Sequence, residues 1–297
     1  MALSRREFLA ASAAVAAASV LPAADEPKPK KLVLMAGTPS HGPGAHEFNA
    51  GVKLLAKCLE PVKAVTVEVL LSGYPKDDAV LDTADGILCF ADGGGGHPLI
   101  RDKRLDRIGK LMAKGVGLMC AHFAVEVPKD IGADELREWI GGCYENMYSC
   151  NPMWKPEFKE FPKHPITRGV KPFGVKDEWY FNMRFRKDMK GVTPILSAVP
   201  SEAVRNGPYV YPPGPYKHIQ DAKGNAEHMM WAVDRADGGR GVGFTGGHVH
   251  DNWGDPDFRK VVLNALLWIC KAEVPEGGVT SEITADDLKA NLDPKKK

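Results

Sequence analysis

The chain has almost no charge imbalance: 39 Lys and Arg stand against 38 Asp and Glu, a formal net charge of +1. It therefore carries no global field to recruit nucleic acid or an anionic membrane surface. Basic residues concentrate only at Lys28 to Lys31 and Lys295 to Lys297, as in solvated tails. No C-x-x-C motif occurs among the six cysteines, which excludes a zinc ribbon or a thioredoxin-like redox centre. No G-x-x-x-x-G-K-[ST] loop is present, and no G-x-G-x-x-G opens a helix after the first strand, so nucleotide binding has little support. No internal repeat is evident. The longest alanine-rich apolar run, Ala10 to Val20, is about half the ~20 residues a spanning helix needs.

That run follows Ser4-Arg5-Arg6-Glu7-Phe8-Leu9, a twin-arginine pattern, and precedes the small residues Ala23-Ala24. Residues 1–24 are thus expected to be a Tat signal peptide, and the protein periplasmic, with no membrane association once the signal is removed. The Tat route carries folded proteins, often with a metal or cofactor already inserted. A composition of 44% hydrophobic and 26% charged residues is that of a soluble globular protein. The expected organisation is one α/β domain over 31–275 and a charged, partly mobile tail over 276–297.

Strand and helix patterns alternate through the first half. Lys31 to Ala36 reads as a strand, Glu47 to Leu59 as a helix with Phe48, Val52, Leu55 and Leu59 on one face, and Val65 to Leu70 as the next strand. Asp85 to Phe90, the helix Arg101 to Lys114, and the strand Val116 to Cys120 continue the series. After a short helix from Ala133 to Gly141, a Pro- and aromatic-rich section to about Gly224 shows weak periodicity and reads as loops with short antiparallel strands. Two strands, His228 to Val233 and Gly241 to Thr245, and a helix from Phe258 to Cys270 close the pattern. Cys58, Cys89, Cys120 and Cys270 fall inside apolar patterns and read as small buried hydrophobes. Cys143 and Cys150 lie in a loop-like stretch that suits either a disulfide or two free thiols.

Histidines follow three of these strands directly: His41 and His46 after the first, His122 after the fourth, His248 and His250 after the last. In a parallel sheet the carboxyl ends of the strands share one rim, so these imidazoles are expected to converge. The competing reading of each is a histidine that ends a strand and bonds a local carbonyl. His248-Val249-His250 puts two imidazoles on one side of an extended segment, a spacing suited to one metal ion. Gly246-Gly247 lets the chain turn tightly towards a pocket. His46 and Glu47 open the first helix; either can reach a ligand, or Glu47 can simply favour the helix dipole. Asp92-Gly93-Gly94-Gly95-Gly96-His97 reads as a flexible flap with Asp92 reaching substrate hydroxyls. His164, His218 and His228 have strand or loop surroundings and suggest no site.

Four of these segments together resemble the trehalose-utilisation (ThuA-like) family: Gly42-Pro43-Gly44-Ala45-His46-Glu47, Gly117 to Glu126, His164 to Gly169 leading to Asp177-Glu178-Trp179-Tyr180, and Gly246 to His250 before a last helix. The resemblance implies a flavodoxin-like, class I glutamine amidotransferase-like doubly wound sheet in three α/β/α layers. It also implies a place in carbohydrate metabolism beside a sugar oxidoreductase that makes 3-keto sugars. The chain departs from the pattern of exported members at Met153 and Asn182, where those carry histidine, so no ligand is assigned there. An amidotransferase would set a nucleophilic cysteine on a glycine-flanked elbow. Here Cys120 is flanked by Met119 and Ala121, and His122 takes the place of the nucleophile, which argues against a glutaminase.

The expected site therefore comprises His122, Glu178 and Glu126 as catalytic residues and His46, His248 and His250 as ligands of a divalent ion, zinc, manganese or iron. Asp92, Glu47, Asp177 and Trp253 are expected to contact a small-molecule carbohydrate. The expected activity is proton abstraction from an oxidised sugar or glycoside, followed by cleavage or rearrangement. A non-catalytic sugar-binding accessory protein is the alternative.

Overall fold

A computed structural model describes residues 28–295; the expected signal segment, 1–24, lies outside the described residues. The main sheet contains β1 (Lys30–Ala36), β2 (Val65–Leu70), β3 (Gly86–Phe90), β4 (Gly117–Ala121), β5 (Val192–Ala198), β6 (Glu227–Asp234) and β7 (Arg240–Phe244). Their order across the sheet is β2-β1-β3-β4-β7-β6-β5. The first five strands in that order run parallel, and β6 and β5 add on antiparallel. Leu32, Val33, Leu34 and Met35 are all buried, which explains why β1 reads as a continuous apolar run rather than an alternating one.

Helices α1 (Phe48–Leu59), α2 (Leu105–Ala113), α3 (Ala133–Ile140) and α4 (Pro256–Ile269) cover the sheet. Leu32, Leu34 and Ala36 share one core with α1 and α4, whereas Val33 and Met35 share the other with α2 and α3. The strand period of two thus splits one segment between two hydrophobic layers, giving the α/β/α sandwich. Asp255 caps α4 by accepting from the amides of Asp257 and Phe258, with Pro256 at the first helical position. Strand order reverses between β1 and β3, so the loops leaving their carboxyl ends diverge and open a crevice on that rim.

Two features differ from the sequence expectation, and one open alternative is decided. Val192–Ala198 forms the edge strand β5 inside the section read as loop-rich. Of the two readings of Cys143 and Cys150 the structure has the free thiols: all six cysteines are free and buried. The residues beyond Pro275 return over the fold, burying Val279 and adding a short helix α5 (Ala285–Lys289). Among the described residues no helix is long and apolar enough to cross a membrane.

Candidate metal centre

The loops leaving β1 and β7 pair with each other. Ala45 and Val249 form an antiparallel bridge, the amide of His46 donates to the carbonyl of His248 (3.1 Å), and that of His250 donates to Gly44 (2.9 Å). This ladder brings the rings of His46 and His248 together edge to face, with centroids 4.8 Å apart, and His122, the first residue after β4, completes the group. Both His46 (φ +50°) and His122 (φ +55°) hold left-handed backbone, uncommon for residues with a Cβ and a mark of sites where side-chain aim outweighs backbone comfort. Gly247, at φ +109°, makes the turn that delivers His248.

Nε2 of His46 lies 2.9 Å from Nε2 of His122 and 3.1 Å from Nδ1 of His248. Nδ1 of His248 lies 2.7 Å from Oε2 of Glu178, which is also 3.8 Å from Nε2 of His122. Liganding atoms of a tetrahedral ion bound at ~2.0–2.1 Å would sit about 3.3 Å apart, and these separations bracket that value. The tautomers are fixed from behind: His46 Nδ1–H donates to Asp92 (2.7 Å) and His122 Nδ1–H to the carbonyl of Thr245 (3.1 Å). Burial holds His46 down to about 4, against the opposing bond to Asp92, and holds His122 well below the ordinary imidazole value. Both rings are therefore neutral near pH 7, and both Nε2 atoms present lone pairs.

Two donors reach this knot, Nδ1–H of His248 and the hydroxyl of Tyr180, 3.3 Å from His122 Nε2. They face three acceptors, namely the two imidazole lone pairs and Oε2 of Glu178. His46 and His122 thus confront each other lone pair to lone pair, a repulsive contact that a shared cation converts into ligation. With the His248 proton moved to Nε2, so that Nδ1 also presents a lone pair, three imidazoles and one carboxylate suit zinc, manganese or iron(II).

Glu178 is aimed by two neighbours. Asn151 donates its amide to Oε1 (2.8 Å), leaving Oε2 for the imidazoles. Asp177, fully buried, accepts from the amides of Gly247 (2.7 Å), Val249 (3.0 Å) and Glu178 (2.9 Å), so one carboxylate clamps the His248 loop to the strand pair that carries Glu178. Burial raises the Asp177 carboxyl above its ordinary value against these three bonds.

The centre opens into a cavity of about 270 Å³ lined by Phe123, Glu126, Tyr144, Asn151, Tyr180 and Tyr211, with His46 and Glu178 at its floor. Burial, reinforced by the charge of Glu178, pushes the Glu126 carboxyl up to about 7. The buried hydroxyl of Tyr144 finds no partner among the described residues. A protonatable acid, phenols and flat rings thus face the candidate metal-ligating side chains across the cavity.

The family model for trehalose utilisation, ThuA, matches residues 33–269. The chain belongs to the ThuA family. Its fold is also that of two solved structures: a putative ThuA-like protein from Bacteroides uniformis ATCC 8492 (18% identity, 84% of this chain and 95% of that one, TM-score 0.57) and another from Parabacteroides merdae ATCC 43184 (16% identity, 87% and 94%, TM-score 0.54). No curated protein matches significantly. Family membership gives the chain the amidotransferase-like fold and a role related to trehalose utilisation within carbohydrate metabolism.

Within this ThuA-family site the sequence-predicted residues divide. His46, His122, His248 and Glu178 meet, with Glu126 on the adjoining wall. His250 does not join them: the chain enters a 3₁₀ turn at His250, and its Nε2–H donates to the carbonyl of Leu288 (2.9 Å). Asp92, expected to contact substrate, supports His46 through Oδ1 and stays partly exposed at the wall of a second cavity. Its glycine loop is fastened at the base, where Gly94 donates to the carbonyl of Glu126 (3.0 Å) and a Cβ on Gly93 would fall 2.2 Å from the carbonyl oxygen of Phe123. Glu47 faces the C-terminal segment, accepting from the amides of Gly44 (2.9 Å) and Asp293 (2.8 Å). Trp253 is 1% exposed, packed on Phe90 and Phe258 in the core. Cys120 is buried in the second core, where burial pushes its thiol far up, so it offers no nucleophile. Asn151 and Tyr144 were not marked by any motif; both lie in the section without periodicity.

Proposed function

We propose that the protein is a metal-dependent enzyme acting on an oxidised, 3-keto sugar or glycoside. The observation that carries this reading is the opposed pair of imidazole lone pairs, His46 and His122, completed by His248 and Glu178 at the floor of a cavity with an acid on its wall. When bound by these four side chains, a divalent ion would supply Lewis-acid polarisation of a substrate oxygen. The remaining chemistry belongs to side chains. Because His122 and Glu178 are committed to the ion, the proton-transfer role moves to Glu126, whose carboxyl near 7 is poised both to take and to give a proton at neutral pH.

A ketone at C3 acidifies the C2–H bond. Glu126 takes that proton, the C–H electron pair becomes the C1–C2 double bond, and the C1–O bond breaks with its electrons on the departing oxygen. That oxygen then takes up the proton held by Glu126, so substrate becomes an enone and a free alcohol with no redox partner consumed. Phe123, Tyr144 and Tyr180 supply flat apolar surface for sugar C–H faces, and the phenols supply hydroxyl partners. Export by the twin-arginine route, with the ion inserted before transport, is part of the same proposal.

The test combines elemental analysis with incubation of metal-loaded protein and a 3-keto-disaccharide, watched by mass spectrometry. The expected result is one equivalent of divalent metal and release of a monosaccharide, with Glu126→Gln binding metal normally but turning over ~10²–10⁴-fold more slowly. Metal-free, fully active protein sinks the metal reading. Saturable binding without turnover would instead make it an accessory binding protein.

A further inference from the structure

The phenol of Tyr144 is out of keeping with the rest of the cavity wall. The residue is 3% exposed, and its oxygen is buried without a hydrogen-bond partner among the described residues. A buried polar group left unpaired costs more than a typical hydrogen bond contributes, so an orphan on a cavity wall marks a partner that arrives with the ligand. Tyr180 packs against it with ring centroids 5.3 Å apart, yet its hydroxyl lies 3.3 Å from Nε2 of His122. Of the buried side-chain polar atoms lining the cavity, only that of Tyr144 lacks a partner among the described residues.

Its neighbour is the base of the proposed reaction. The amide of Tyr144 donates to the carbonyl of Val125 (2.9 Å), and Tyr144 forms a parallel bridge with Glu126. Residues opposed in such a bridge project their side chains to the same face from backbones ~4.8 Å apart, and both of these line the cavity. Glu126 and Tyr144 thus stand side by side, one able to take a proton and the other carrying one to give. Burial, followed by the charge of Glu126, holds the phenol above its ordinary value, so it enters the reaction protonated. Elimination across two adjacent carbons calls for such a pair: a base at the C2 proton and a donor at the oxygen leaving C1.

We propose that Tyr144 is a second catalytic residue, the acid that protonates the departing oxygen. This rests on the elimination reading above and adds to it the route of the proton. Glu126 takes the C2 proton, the C–H electron pair becomes the C1–C2 double bond, and the C1–O bond breaks with its electrons on oxygen. That oxygen takes the phenol proton of Tyr144, and the phenolate takes the proton held by Glu126. Both side chains end as they began, and nothing is oxidised or reduced.

The test uses the metal-loaded full chain and two probes that differ only in the leaving group, methyl 3-keto-glucoside and 4-nitrophenyl 3-keto-glucoside. Methoxide leaves poorly unless protonated, whereas nitrophenolate leaves without a proton. Tyr144→Phe should turn over the methyl glycoside ~10²–10⁴-fold more slowly than the wild type, and its loss on the nitrophenyl glycoside should be at least ~10-fold smaller. Glu126→Gln, which removes the base, should lose alike on both. Because no described residue bonds the phenol, Tyr144→Phe should also keep its metal and unfold in urea at a midpoint no lower than the wild type's. An equal loss on both probes, no loss on either, or a lowered urea midpoint overturns the acid role and leaves the elimination reading standing. Wild-type turnover confined to the nitrophenyl glycoside does the same, and turnover of neither probe by the wild type overturns both.

Discussion

Asp92 and His46 form a carboxylate–imidazole pair, Oδ1 to Nδ1 at 2.7 Å, that joins the loop after β3 to the loop after β1 across the point where strand order reverses. The carboxylate fixes the His46 tautomer and raises the basicity of its Nε2, while burial opposes protonation of the ring. Asp92 itself is held below its ordinary value: burial alone would raise it, but the bonds to His46 and Ser40 and the neighbouring imidazoles of His46 and His41 together outweigh that. Asp92→Asn should leave the fold intact and lower metal affinity ~10–100-fold. Competition with a chromophoric chelator measures this, and wild-type affinity in the variant would refute an orienting role for Asp92.

The separation of His248 from His250 gives a second prediction. His248→Ala should abolish stoichiometric metal. His250→Ala should keep it, because that ring serves the carbonyl of Leu288. Its effect should appear as faster hydrogen exchange in Ala285–Lys289. Equal metal loss in the two variants, by elemental analysis, would overturn this division.

That division also shows how far residue spacing carries. Imidazoles two residues apart share a side only on extended backbone, and the chain leaves extended geometry at His250. The convergence of His46, His122 and His248 was legible because each follows a buried apolar strand of a parallel sheet, where position along the chain maps directly onto one rim. β1 to β4 were legible for the same reason. β5 was not: it is an edge strand, half-exposed and interrupted by Pro194, so neither alternation nor an apolar run marks it. Asn151 reaches the site only because the two-residue strands Met153–Trp154 and Asp177–Glu178 pair antiparallel, an arrangement too short to leave a periodic trace. Glu178 was marked by the Asp177-Glu178-Trp179-Tyr180 segment of the family resemblance, and its position among the imidazoles required the fold.

Glu126 makes stability depend on pH in a direction that can be worked out. Its carboxyl titrates near 7 in the folded chain, with burial the larger cause and the Glu178 charge the second, against an ordinary value of 4.5. Between these values the folded state holds a proton that the unfolded state has released. Glu126 therefore lowers the stability of the metal-free protein as pH rises from about 4.5 through 7, by on the order of 3 kcal/mol. In Glu126→Gln that loss should disappear, so urea denaturation at pH 5 and pH 8 should show the variant gaining relative to wild type at the higher pH. An unchanged wild-type-minus-variant difference would place the Glu126 titration elsewhere.

The last prediction concerns Glu47 and Lys295, which lie 3.2 Å apart with both side chains buried. Burial alone would raise the Glu47 carboxyl, yet bonds from the amides of Asp293 and Gly44 and the charge of Lys295 bring it below its ordinary value. Lys295 also donates to the carbonyl of Ala45, the residue before His46. The C-terminal segment is thereby tied to the loop that presents a metal-facing imidazole. Removing one member strands a buried charge, so Lys295→Met and Glu47→Gln should each cost ~3–5 kcal/mol, whereas the double variant should recover most of that. A purely structural tether would stop there. Because Gly44, Ala45 and His46 are consecutive with the bridge to Val249, freeing this segment should also speed metal release, read as a faster transfer to excess chelator in Lys295→Met than in the wild type. Unchanged release with lowered stability would confine Lys295 to holding the tail, and the double variant separates the two effects because it restores the charge balance without restoring the bond to Ala45.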